Sequence, residues 1–138
     1  MCPAEETKAE ISQRTVVLLV EDEVLLRLSI ADRLREHGFV VVEAASGDEA
    51  RDLILAGVVA DLVMSDITMP GALDGAGLAV WLAARGVKAP IILTSGLSQT
   101  LAEARTRCPH VAAFLAKPYD PSQLINRIEA VIAASNAA

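Results

Sequence analysis

The feature of this sequence that most constrains its fold is a regular alternation between short apolar runs and segments with helical spacing. Five runs are apolar almost throughout, without the alternating polar positions of a half-exposed strand: residues 16–20, 39–43, 59–65, 91–94 and 111–115. Strands of this kind are buried on both faces, which is the arrangement of parallel sheets covered by helices. The sequence therefore predicts an α/β fold in which each of five strands is followed by a helix.

Local signals mark where the intervening helices begin and end. Ser46 and Glu49 have the spacing of a capping box, and Gly38 follows a helical segment where a C-terminal glycine cap belongs. Asp120 and Pro121 supply an N-cap and a proline at the first helical position. The apolar residues after Pro121 fall on one helix face: Leu124, Ile125, Ile128, Val131 and Ile132.

Length and composition restrict the classes of function. The chain has 138 residues, the size of one domain, and 53% of them are apolar. The net charge is −6 with no basic cluster, which argues against direct nucleic-acid binding. The longest apolar run, residues 53–60, is too short to span a membrane, and residues 1–15 lack the apolar core of a signal peptide. We therefore predict a cytoplasmic protein that binds neither membranes nor nucleic acid directly.

The two cysteines and the ends of the chain complete this outline. Cys2 and Cys108 show no CxxC spacing and fit a reducing cytoplasm, although the sequence does not decide whether they pair. Residues 1–14 are polar and non-periodic, which predicts a flexible N-terminal arm. The predicted domain spans residues 15–134, and residues 135–138 form a tail too short to be an output domain.

Chemically distinctive residues follow four of the five predicted strands. Glu21 and Asp22 follow the first strand, Asp66 the third, Thr94 ends the fourth, and Lys117 follows the fifth. Ligand sites of open α/β sheets lie at the carboxyl ends of the strands, so these side chains are expected to converge. Clustered carboxylates raise a pKa or bind a cation, and hard oxygen ligands beside a phosphoryl site favour Mg2+. A carboxylate can also act as a nucleophile and form an aspartyl phosphate, stabilised by cations around the phosphoryl oxygens.

At this point the sequence resembles the receiver domains of bacterial response regulators in two-component systems, including the single-domain, chemotaxis-regulator-like members. The resemblance covers residues 15–134 and is carried by five stretches: 18–23 (LLVEDE), 61–70 (DLVMSDITMP), 74–75 (DG), 92–96 (ILTSG) and 115–119 (LAKPY). It implies a flavodoxin-like (βα)5 fold with five parallel strands in the order 2-1-3-4-5 and helices on both faces.

The resemblance also implies a phosphoacceptor and a set of metal ligands. By motif, Asp66 accepts the phosphoryl group and also binds Mg2+. Asp22 is a direct ligand of the metal, Glu21 acts through water, and the backbone carbonyl of Thr68 completes the protein's share of the shell.

The remaining motif positions contact the phosphoryl group or report its presence. The resemblance makes Thr94 the switch hydroxyl, Lys117 the partner of the phosphoryl group, and Phe114 the aromatic residue that changes rotamer on activation. It also implies a cis peptide bond before Pro118, a structural residue at the site.

Two features depart from the common family pattern. The loop at residues 69–75 looks one residue longer, which affects the backbone near the acceptor. Thr68 and Gly96, at positions resembling those that tune dephosphorylation, carry no carboxylate or carboxamide. The lifetime of the phosphorylated form stays open.

Two other classes of protein, a phosphatase and a cofactor-binding protein, fit the sequence less well. A phosphatase of the haloacid-dehalogenase type needs an Asp two positions after the nucleophile, where this chain has Thr68. A flavodoxin-like cofactor binder needs a phosphate loop rich in Ser, Thr and Gly after the first strand, where this chain has the acidic residues 21–23.

The expected function is therefore that of a stand-alone response regulator rather than an enzyme. A histidine kinase or phosphotransfer protein is expected to phosphorylate Asp66 in a Mg2+-dependent reaction. The signal then leaves through contact with an unidentified downstream protein or through onward phosphotransfer. The expected readout surface is the helix 4–strand 5–helix 5 face, roughly residues 98–134, and the chain is expected to be a monomer or a weak dimer through that face.

Overall fold

A computed structural model of the protein describes residues 15–137, so the predicted N-terminal arm lies outside the described residues. Strands and helices alternate along the chain as β1 (Val16–Val20), α1 (Val24–Glu36), β2 (Val40–Ala44), α2 (Gly47–Leu55), β3 (Leu62–Asp66), α3 (Gly75–Ala84), β4 (Ile91–Ser95), α4 (Ser98–Arg107), β5 (Ala113–Ala116) and α5 (Pro121–Ala137). The five strands form one parallel sheet in the order β2-β1-β3-β4-β5. The predicted flavodoxin-like (βα)5 fold is confirmed.

Each face of the sheet is covered by its own apolar cluster. Alternate strand residues such as Leu18 and Val63 pack against α2, α3 and α4. Their neighbours in sequence, such as Leu19 and Met64, pack against α1 and α5. Both faces are buried along the central strands β1, β3 and β4, which explains their nearly continuous apolar runs, whereas the edge strands β2 and β5 are only partly buried.

The predicted helix caps are present. The Ser46 hydroxyl accepts a hydrogen bond from the Glu49 amide at 3.0 Å, and the Asp120 carboxylate accepts one from the Ser122 amide at 2.8 Å. Gly38 follows α1 with a φ of 98°, a left-handed conformation that favours glycine.

Some boundaries differ from the prediction. The third strand begins at Leu62 rather than at residue 59, because the preceding residues return from α2, where the Val58 amide donates to the Leu53 carbonyl. Val59 is 80% exposed and lies in this connection. The fifth strand begins at Ala113 because residues before it form a turn after α4.

The last helix, α5, continues into the segment predicted to be a short tail. Residues 135–137 continue α5, whose bounds are Pro121–Ala137. No glycine or proline occurs in residues 131–137, and Ala133, Ala134 and Ala137 favour a helix, so the sequence has no strong stop signal at residue 134.

None of the helices within residues 15–137 combines the length and the apolar character that crossing a membrane requires.

Candidate functional site at the carboxyl edge of the sheet

Three carboxylates meet where the central strands of the sheet end. Glu21 and Asp22 directly follow β1, and Asp66 is the last residue of β3. Because β1 and β3 are hydrogen-bonded neighbours, these side chains share one edge. Each of the three offers an oxygen atom that lies within 4.8 Å of the others. One cation can therefore contact more than one of these carboxylates.

Lys117 follows the edge strand β5, and its side chain extends past β4 to the same carboxylates. Its backbone amide donates to the Ser95 carbonyl at 2.8 Å, which extends the β4–β5 pairing by one residue. Its ammonium nitrogen lies 3.0 Å from Glu21 Oε2 and 3.1 Å from Asp66 Oδ2. The peptide bond between Lys117 and Pro118 is cis, in agreement with the family resemblance. Lys117 thus links the carboxylates of two different strands.

The surroundings shift the pKa of Glu21, which is buried, and of Lys117, which is partly buried. Burial raises the pKa of Glu21, and the charge of Asp66 adds to this, while the hydrogen bond from Lys117 opposes it. For Lys117, burial alone would lower the pKa. The hydrogen bond to Glu21 and the charge of Asp66 outweigh burial, so the pKa lies above its ordinary value. Lys117 therefore remains a cation at neutral pH and offsets part of the carboxylate charge.

The carboxylates differ in their access to solvent. The residue Glu21 is only 3% exposed, whereas Asp22 is exposed. Asp66 is intermediate between them. An ion or a phosphodonor that arrives from solvent can therefore reach Asp22 directly and the partly exposed Asp66, whereas Glu21 is almost closed to solvent. Carboxylate oxygens of this kind are the ligands that Mg2+ prefers, so the donor set fits this metal.

Thr94 lies beside Asp66 in the sheet. The two residues are paired in register across β3 and β4, and the Thr94 carbonyl accepts from the Ile67 amide at 2.9 Å. Thr94 is 1% exposed. The predicted switch hydroxyl is therefore on the strand adjacent to Asp66, whereas Thr68 is an exposed residue of the loop that follows β3.

Phe114 occupies the strand next to Thr94, at the edge of the sheet. It pairs in register with Leu93 and is partly buried against the cluster under α3 and α4. The guanidinium carbon of Arg105, on α4, lies 5.3 Å from the centroid of the Phe114 ring. This distance is typical of a cation–π contact. The sequence does not indicate Arg105, because nothing in the pattern distinguishes it from other basic residues on a solvated face.

Tyr119 is a second residue to which the motifs assign no role. It follows the Lys117–Pro118 bond and packs against the cluster under α1 and α5. Its hydroxyl is the buried side-chain polar atom without a hydrogen-bond partner among the described residues. Burial raises its pKa, and the charges of Glu21 and Asp66 raise it further, so the hydroxyl stays protonated.

Comparison with known proteins connects this arrangement to a signalling family. Residues 17–129 match the family model described as the response regulator receiver domain. The chain is 37% identical over 131 residues to the transcriptional regulatory protein PdtaR of Mycobacterium tuberculosis, covering 94% of this chain and 62% of PdtaR. It is 33% identical over 129 residues to the sensor kinase CckA of Brucella abortus, covering 92% of this chain and 13% of CckA. The chain thus spans less than two thirds of either relative.

Solved structures show the same likeness. The receiver domain of the Francisella response regulator 1452 has a TM-score of 0.78 and 26% identity, covering 88% of this chain and 99% of that domain. The response regulator TrrA of Thermotoga maritima, solved in complex with Mg2+ and BeF, has a TM-score of 0.75 and 25% identity. That match covers 85% of this chain and 98% of TrrA.

Proposed function

The chain belongs to the response regulator receiver domains, and from that premise we propose that it accepts a phosphoryl group on Asp66 in a Mg2+-dependent reaction. Membership of the family implies phosphorylation on an aspartate and a role in two-component signalling. The observation that supports Asp66 in this role is its position between two further carboxylates and Lys117 at one edge of the sheet. No other cluster of this kind lies among residues 15–137.

The residues at this edge of the sheet have separate roles in the proposed phosphoryl transfer. An Asp66 carboxylate oxygen forms a bond to phosphorus as the bond from phosphorus to the donor breaks, and the donor leaves with the electron pair. Asp22, Asp66 and the Thr68 carbonyl would hold Mg2+, with Glu21 acting through water. The metal supplies positive charge to the phosphoryl oxygens. Lys117 supplies a second positive charge from its position 3.1 Å from Asp66 Oδ2.

The likeness to TrrA supports the metal in this proposal, because that response regulator was solved with Mg2+ and has the same fold. The exposure of Asp22 supports its assignment as the direct ligand, and the burial of Glu21 supports an indirect role.

The acceptor is tested with a small phosphodonor. Incubation with acetyl phosphate and Mg2+ is expected to add one phosphoryl group to the wild-type protein, measured by intact mass. Asp66→Asn is expected to abolish the gain in mass, because an amide cannot act as this nucleophile. A matched Asp52→Asn variant, which changes an exposed aspartate on α2, should be phosphorylated like the wild type. Phosphorylation of the Asp66→Asn variant at another residue would overturn the assignment.

We further propose that the donor is a histidine kinase or phosphotransfer protein and that the signal passes to a downstream protein or onward to another phosphoacceptor. In this proposal the protein acts in the cytoplasm as a signalling protein rather than as an enzyme on an external substrate. The surface that responds is α4, β5 and α5, within residues 98–134. The Thr94 hydroxyl moves toward the phosphoryl group, and Phe114 fills the space behind it.

This route is tested by removing one hydroxyl. Thr94→Ala is expected to permit phosphorylation while uncoupling it from the distal surface, because a modification shifts only the states with which it interacts differently. Backbone NMR shifts of residues 98–134 are compared before and after phosphorylation in the wild type and in Thr94→Ala. Equal responses in the two proteins would show that the signal leaves by another face.

A further inference from the structure

The loop between β3 and α3, residues 67–74, is hydrogen-bonded to the start of α2. Asp48, in the first turn of α2, accepts two backbone hydrogen bonds from this loop. Its Oδ1 accepts from the Leu73 amide at 2.8 Å, and its Oδ2 accepts from the Ala72 amide at 3.1 Å. Both oxygens of one carboxylate are thus used on consecutive amides of a segment 24 and 25 residues away in sequence. We call this contact the Asp48 clasp.

Two glycines allow the loop and the helix to approach this closely. A Cβ atom on Gly47 would overlap the carbonyl oxygen of Leu73, so only glycine fits there. Gly71 has a φ of +104°, and a Cβ atom on it would lie 3.0 Å from Asp48 Oδ2. The path of the loop therefore depends on α2 from Gly71 to Leu73.

The same loop is attached directly to the phosphoacceptor. The Gly75 amide donates to the Ile67 carbonyl at 2.8 Å, and a Cβ atom on Gly75 would overlap the carbonyl oxygen of Asp66. Asp74 caps α3 by accepting from the Gly77 amide at 2.6 Å. Only Asp74 separates Leu73 from Gly75, so a displacement of Leu73 would act on the contacts of Gly75 with Ile67 and Asp66.

From these contacts we propose that Asp48 is a positioning residue of the metal site, which holds the 67–74 loop so that the Thr68 carbonyl and Asp66 face one bound Mg2+. The inference rests on the proposed function, since it concerns the metal of that reaction. Asp48 contacts neither the metal nor the phosphoryl group and acts only through the backbone. Residues that orient metal ligands from outside the coordination shell commonly affect affinity by about 10- to 100-fold.

A purely local role for Asp48 makes a different prediction. An acidic residue in the first turn also stabilises its own helix through the helix dipole. Glu49 stands in the same turn with the same charge and is exposed, and the clasp is formed by the Asp48 carboxylate alone. Glu49→Gln therefore removes a helix-dipole charge without touching the clasp, which makes it the matched control.

The test measures Mg2+ affinity in the full chain by following backbone amide shifts during a titration with Mg2+ alone. Asp48→Asn is expected to weaken Mg2+ binding by roughly tenfold, because the amide retains one acceptor oxygen and leaves one loop amide without its partner. Glu49→Gln is expected to change the affinity by less than about twofold, since it lies outside the clasp. At saturating Mg2+, Asp48→Asn should be phosphorylated by acetyl phosphate at a rate close to that of the wild type.

Three results would overturn the inference. Unchanged Mg2+ affinity in Asp48→Asn would do so, as would an equal loss in Glu49→Gln. A phosphorylation defect that persists at saturating Mg2+ would show a general structural role instead. Asp22→Ala, titrated in parallel, separates this inference from the proposed function. If Asp22→Ala binds Mg2+ normally, the metal site itself is wrong, whereas a loss in Asp22→Ala without one in Asp48→Asn removes only the clasp.

Discussion

The two segments that flank Asp66 are held in very different ways. On one side, the 67–74 loop is bound by the Asp48 clasp and by the close approach of Gly75 to the Asp66 carbonyl. On the other side, the junction between β4 and α4 passes through Gly96, where an added Cβ atom would have no neighbour within 4 Å. Leu97, the N-cap of α4, is 65% exposed and forms no side-chain cap, and its amide donates one hydrogen bond, to the Ser95 hydroxyl at 3.1 Å.

The two segments therefore suit two different roles around Asp66, metal binding and switching. A metal site requires ligands held within about half an ångström of the productive geometry, which the fastened loop can supply. A switch requires an element with few constraints, because regions that move are those of low local stability. The β4–α4 junction directly follows β4, the strand that contains Thr94, and leads into the surface proposed to respond.

The largest expected effect is on the free energy of unfolding when a glycine is replaced by alanine, and it should differ between the 67–74 loop side and the β4–α4 side of Asp66. Gly75→Ala should lower the free energy of unfolding by about 2–3 kcal/mol, because the new Cβ atom overlaps backbone rather than a movable side chain. Gly96→Ala should change it by less than about 0.5 kcal/mol, since the space there is open. Urea denaturation of the two variants measures both values. Equal effects would remove the contrast between the two sides.

A smaller loss of stability is expected when acid protonates Asp48 and weakens its contact with the 67–74 loop. Hydrogen bonds from the Ala72 and Leu73 amides lower the pKa of Asp48. Because the pKa of Asp48 is lower in the folded state, the ionised carboxylate stabilises the fold at pH values above the unfolded-state pKa, about 3.9 for Asp. This stabilisation is lost as the pH falls through the folded-state pKa of Asp48.

The melting temperatures of wild type and Asp48→Asn, measured without Mg2+ from about pH 7 to about pH 3, test this sign. The wild type should be the more stable at neutral pH, and the difference should shrink toward the acid end. A difference that is constant across this range would show that the charge of Asp48 does not hold the loop.

The smallest effect is expected on the loosely held side, where Arg105 lies over the Phe114 ring. Arg105→Gln should lower the free energy of unfolding by about 0.5–1 kcal/mol, the usual contribution of an exposed cation–π pair. The ring resonances of Phe114 should also shift, because the cation no longer restrains the ring. Arg127→Gln, on the exposed surface of α5, is the control. No change in the Phe114 resonances would mean that Arg105 does not restrain this residue.

The fold and the carboxylate edge can be predicted because they follow from patterns that the sequence displays directly. Apolar runs mark strands buried on both faces, and residues that follow such strands converge at one edge. That rule alone predicts that Glu21, Asp66 and Lys117 lie together. The cap at Ser46 is similarly visible, since it depends on residues three positions apart.

The Asp48 clasp and the Arg105 contact are not predictable in this way. Asp48 stands inside the capping box and has the pattern of an ordinary first-turn acid, although its partners are backbone amides in a loop far away in sequence. Backbone amides carry no signature of residue type, so no motif could indicate this contact. Arg105 meets Phe114 only because α4 packs beside β5, which is a property of tertiary packing.

The double contact of Lys117 has a consequence for the charge balance of the edge. When all four are ionised, the three carboxylates and the Lys117 ammonium group together carry a net charge of −2. A single divalent cation brings that sum to zero, whereas a monovalent ion leaves half of it. Without Lys117 the same carboxylates would require three positive charges. The lysine therefore reduces from three to two the positive charge that balances these three carboxylates, in addition to any contact it makes with a phosphoryl group.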